Sequence, residues 1–121
     1  MREIKFRAWD KRKKKMFYSV ERTFLNDDLG NCFGSLLNNS SFELMAYTGI
    51  TDVSCRRIYD GDIIAFMDSN GKFFRGEVKW DDDLAGFVIQ GKNLNIKRLN
   101  GNYDISILGN AYENKEELLD E

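Results

Sequence analysis

From Arg2 to Trp9 the chain alternates, with Ile4, Phe6 and Ala8 on one side and Glu3, Lys5, Arg7 and Trp9 on the other. That is the period of a half-buried strand, with Trp9 as the odd member of the polar face. The run Asp10 to Lys15 is polar enough to be a turn, and Met16 to Val20 returns to strand-type residues, so the opening reads as a hairpin. Between Glu21 and Ser41 neither a period of two nor one of 3.6 is sustained, which predicts a long loop. Phe42 to Thr48 reads as a strand, Gly49 as a turn, and Asp52 to Arg57 as an irregular polar connection.

The second half is more regular. Asp60-Gly61 marks a turn, Ile63 to Met67 a strand, Asp68 to Gly71 a hairpin turn and Lys72 to Trp80 the returning strand. Asp81 to Gly86 makes the next turn, followed by strands at Phe87 to Gln90, Ile96 to Leu99 and Tyr103 to Leu108. At the end, Asn114 with Glu117 three residues on is a capping pattern, which predicts a short C-terminal helix through Leu119. Short strands at close spacing predict a mainly β fold, an antiparallel meander curled into a small, partly open barrel of SH3-like type. Gly61, Gly76, Gly86 and Gly109 are candidates for the bends that curling needs. No repeat or linker divides the chain, so residues 1–121 read as a single domain.

Composition narrows the chemistry. The chain of 121 residues has no His, which removes Ser-His-Asp and Cys-His catalysis, histidine zinc sites and histidine pH switches. It has no Pro, so turns fall to Gly, Asn, Asp and Ser. Its two cysteines, Cys32 and Cys55, form neither a CxxC nor a metal-ligand cluster, and no apolar run approaches membrane-span length. A reduced, cytoplasmic protein that does not engage a membrane is the expectation. Net charge is -2, but it is divided unevenly: residues 1–60 hold 11 basic and 8 acidic groups, and residues 61–121 hold 7 and 12. The halves therefore stand at +3 and -5, and a polyanion would meet the first half.

Three constellations could carry function. The densest charge is Lys11, Arg12, Lys13, Lys14 and Lys15, flanked by Trp9 and by Phe17 and Tyr18. Basic loops beside aromatics suit single-stranded nucleic acid, although lysines in turns also keep strand edges soluble. Asp60, Asp62 and the run Asp81 to Asp83 could hold a divalent ion in a small hydrolase or nuclease. Both acidic groups have a simpler explanation as turn formers, so no catalytic, cofactor or metal residue is assigned. Arg56 and Arg57 beside Cys55 are the third set, cationic neighbours that could activate a thiol or contact a partner, although a buried or incidental thiol is the favoured reading of Cys55. Phe73 and Phe74 must face opposite ways, and Trp80 and Phe87 read as core.

Four stretches together resemble the YopX family of phage and prophage proteins. They are Ile4 to Asp10 with Lys15-Met16, Leu44 to Gly49, Ile58 to Ile63, and Ile107 to Asn114. Family members commonly have a Gly-Lys-type turn before the Ile-Tyr-Asp-Gly-Asp stretch, where this chain has Ser54-Cys55-Arg56-Arg57. The resemblance implies a small β-rich protein of temperate phages, made in the cytoplasm of a Gram-positive host, and it carries over no catalytic residue. The resulting expectation is a non-enzymatic accessory module that binds a host or phage protein through Trp9, Tyr18, Arg56, Arg57 or the basic loop. Nucleic acid is the second partner class, and uncovered strand edges predict a homo-oligomer.

Overall fold

In the computed structural model, residues 3–21, 40–67, 70–91, 94–100 and 103–113 are described, and among them every extended element is antiparallel β structure with no α-helix. The strands are β1 (Phe6–Asp10), β2 (Lys15–Tyr18), β3 (Phe42–Thr51), β4 (Arg57–Tyr59), β5 (Asp62–Met67), β6 (Phe73–Asp81), β7 (Gly86–Gly91), β8 (Leu94–Arg98) and β9 (Asp104–Asn110). They form two sheets, ordered β2-β1-β3-β4 and β8-β7-β6-β5-β9, the second curled as a half-barrel. The mainly β expectation is met. The long loop falls largely on residues 22–39 and the C-terminal helix on residues 114–121, both outside the described residues, as is Cys32.

The chain divides into two compact units, residues 1–47 and 48–121, with the boundary inside β3. No composition change could mark it, because the strand runs on through it.

In the first unit, β1 pairs with both β2 and β3, placing Ala8 opposite Phe17 and Leu44. Ala8 and Val20 form the buried centre, with Phe6, Phe17, Phe42 and Leu44 packed on it. The expected inward residues Phe6 and Ala8 lie in this core, but the opposite face is covered too, so the expectation for that face needs correction. Arg7 and Trp9, expected on the polar face, are 3% and 8% exposed, while Ile4 is 67% exposed. Arg7 Nε donates to Met45 Sδ at 3.3 Å, so the cation lies against a polarisable side chain on the same face. Ile4 precedes β1.

The second unit is built around β5, the central strand between β6 and β9. Ile64 and Phe66 point into a core completed by Ile58, Val78, Ile89 and Ile105. Phe66 stacks on Phe74 at 5.4 Å and meets Tyr103 at 5.1 Å between ring centroids. Burying each such side chain contributes about 1.5–3 kcal/mol. β9 returns from the end of the meander to pair with β5, and the register slips at Ile63/Ile64, so that one residue of β9, Leu108, is bulged out. At Gly76 the neighbouring strand lies so close that a Cβ would stand 2.6 Å from Ile89 Cγ2 and 2.8 Å from the Gln90 carbonyl oxygen.

Two connections differ from the sequence reading. Gly49 is no turn; it sits inside β3 with φ 89°, and the strand continues to Thr51. The polar connection ends in β4, whose Ile58 carbonyl accepts from Thr48 Oγ1 at 2.8 Å. A three-residue strand gives too short a pattern to detect alone.

Candidate functional site

The basic turn begins with a buried carboxylate. Asp10 is 5% exposed, and its Oδ1 accepts from the backbone N–H groups of Arg12 at 2.9 Å and Lys13 at 3.1 Å, the geometry of an Asx turn. Lys14 closes the turn in the left-handed region at φ 53°. Lys11 ties it to the start of β3: its N–H donates to the Ser41 carbonyl at 2.9 Å, and its ammonium meets Ser40 O at 3.1 Å and Glu43 Oε1 at 2.8 Å. Lys15 lies over the Phe17 ring at 5.3 Å. Two of the five cations are thus engaged by the fold. Arg12, Lys13 and Lys14 are exposed, and no acidic side chain among the described residues pairs with them. Tyr18, at the far end of β2, is 59% exposed, whereas Trp9 is buried and presents no accessible ring.

The Cys55-Arg56-Arg57 segment is organised by Asp52. Its Oδ1 accepts from Ser54 N and Arg56 N, both at 2.9 Å, and its Oδ2 from Arg56 Nε at 3.0 Å and Nη2 at 2.9 Å. Arg56 Nη2 also donates to Ile107 O at 3.2 Å, and Val53 N donates to Ile105 O at 2.9 Å, so the loop is pinned to β9. Burial pushes the Asp52 carboxyl up, but the N–H groups of Arg56, Ile107 and Ser54 and the Arg56 guanidinium outweigh it and hold the group below its ordinary 3.8. Arg56 is therefore committed to holding this loop. Arg57 is exposed at the start of β4, and Cys55 is a free, exposed thiol at φ 64°.

Three of the carboxylates singled out in the sequence accept local hydrogen bonds, two of them from the backbone. Asp62, 2% exposed, accepts from Tyr59 N at 2.8 Å across a turn in which Gly61 has φ 89°. Asp81 accepts from Leu84 N at 3.0 Å, and Asp82 from the Trp80 indole N–H at 2.8 Å. Among the described residues no three acidic or cysteine side chains gather at one point as a cation would require. None of their helices is long and apolar enough to cross a membrane.

One feature escaped the sequence reading. Trp80, expected in the core, is 51% exposed. It shares a strand face with Phe74 and Val78, but it stands near the end of β6, opposite Phe87. The Phe87 ring packs on it edge-to-face at 5.2 Å and 78°, and beyond that the core stops. Leu84, in the following turn, is 41% exposed. The signal available in the sequence was Asp82, two residues on, which suits an indole N–H that remains near solvent.

Fold and surface together define a two-sheet antiparallel β protein whose prominent surface features are a basic turn, Tyr18 and Trp80. A family model described as "YopX protein" matches residues 5–120, and the chain belongs to the YopX family. Among solved structures it is similar to protein EF1440 from Enterococcus faecalis, with a TM-score of 0.64 and 23% identity over 98% of this chain and 99% of that one. That likeness shows the fold alone. No curated protein matches.

Proposed function

We propose that the chain is a non-enzymatic phage accessory module that binds a host or phage protein in the bacterial cytoplasm. The supporting observation is Trp80. Its indole is held on one edge by Asp82 and against Phe87, yet half of it is exposed. An aromatic already fixed in position loses little entropy on binding, and Trp is enriched among the residues that dominate interface energies. The turn roles of Asp62, Asp81 and Asp82 support a binding reading over metal-dependent hydrolysis, because an enzyme needs its carboxylates convergent.

Capture of partners by the tagged protein from host cells, followed by rebinding of the purified partner, tests the proposal. Trp80→Ala should weaken rebinding by roughly 2 kcal/mol or more while leaving the circular dichroism spectrum unchanged. Full rebinding by that variant would remove Trp80 from the interface. The hydrolase reading makes an opposing prediction: a manganese site of micromolar affinity in calorimetry, lost on Asp62→Ala or Asp81→Ala, would displace the binding module.

A further inference from the structure

We infer that the β1–β2 turn is a docking site for the phosphodiester backbone of single-stranded nucleic acid, distinct from the Trp80 surface and independent of it. Arg12, Lys13 and Lys14 stand side by side on a turn whose entry is fixed by Asp10 and by the Lys11 contacts to Ser40, Ser41 and Glu43, and whose exit is fixed by the pairing of Lys15 with Asp10. The fold spends Lys11 and Lys15 on its own contacts and leaves the three central cations without a counter-charge among the described residues. Holding three like charges together costs free energy that an approaching anion recovers. Residues 1–47 contain nine basic and six acidic groups, so this unit carries +3 although the whole chain carries -2. The field near the turn therefore favours anions even though the total does not.

Two observations select phosphate over an acidic protein segment. The turn offers no apolar side chain from Lys11 to Lys15, and protein interface cores are depleted in Lys and built around apolar anchors. Lys and Arg as point and fork donors are what a phosphate row recognises. Tyr18 is three residues past Lys15 on the same strand, about 10 Å at strand spacing, and is 59% exposed. A base unstacked from a single strand could lie on its ring, which a duplex does not offer.

Fluorescence anisotropy on the full chain tests this with three labelled probes: an oligothymidylate, a DNA duplex of the same length, and polyglutamate. The oligothymidylate should bind with a log–log salt slope near 2, from three contacts at about 0.7 each. Replacing Arg12, Lys13 and Lys14 together by Ala should reduce that binding by about tenfold or more at low salt and flatten the slope. A second variant, Arg12→Lys, keeps all three charges and should bind as the parent does, separating loss of charge from loss of fold. Tyr18→Ala should weaken the oligothymidylate about fivefold and leave the duplex unaffected. Unchanged binding in the triple-alanine variant, no binding by the parent at low salt, or polyglutamate bound as tightly as the oligothymidylate would each overturn the assignment.

Discussion

Asp52 shows how one side chain can organise an irregular connection. Its backbone carbonyl accepts from Cys55 N across a local turn, and its carboxylate gathers the N–H groups of Ser54 and Arg56. Asp52→Ala should destabilise the protein by about 1–2 kcal/mol, the cost of removing a buried acceptor from several part-buried donors, measured by urea denaturation. The pH dependence follows from the direction of its shift. Because the folded carboxyl sits below the unfolded value of 3.8, the stabilisation is complete above that value and is lost as pH falls through the folded one. The stability of Asp52→Asn should therefore fall less steeply than that of the parent as pH drops below about 4, and parallel curves would place the acid sensitivity elsewhere.

At the scale of the strand and turn, β6 and its hairpin to β7 carry two opposite backbone constraints. Gly76 has φ that any residue could adopt, but no room for a Cβ, since one of its neighbours is a carbonyl oxygen that cannot swing aside. Gly76→Ala should lower stability by about 1–3 kcal/mol through overpacking. Ala85, in contrast, closes the turn at φ 49°, a conformation that costs an L-residue about 1–2 kcal/mol. Ala85→Gly relieves that strain and adds about 0.4–1 kcal/mol of unfolded-state entropy, so a net gain of up to about 1 kcal/mol is expected. Denaturant midpoints of the two variants should move in opposite directions, although both exchanges are between the same two residue types.

For the whole molecule the centre of gravity is the second unit, where Phe66 joins three strands through Phe74, Tyr103 and Ile105. Phe66→Ala should cost about 3–5 kcal/mol. Against a total of about 5–15 kcal/mol for a domain of this size, that loss should bring the thermal midpoint close to growth temperatures. Folding has a further property fixed by composition alone. With no Pro in the chain, refolding from denaturant should lack any phase accelerated by a prolyl isomerase.

The sequence by itself determined what depends on near neighbours: the β class, the hairpin turns, the left-handed Asp60-Gly61 turn, and the opposed faces of Phe73 and Phe74. These follow from the period of two and from the conformational range of Gly and Asp, both local properties. Tertiary structure decided whether the second face of a strand is covered as well. Alternation along Arg2 to Trp9 predicts one covered face, Phe6 and Ala8, and that face is in the core; the opposite face, Arg7 and Trp9, is buried as well, which no local pattern records. It also decided how far each face stays covered, so that Trp80, on the same side of β6 as Val78, stands half in solvent where the core ends at Phe87. Finally, it decided the return of β9 to β5 and the division within β3, because pairing between segments some forty residues apart depends on contacts that no local pattern records.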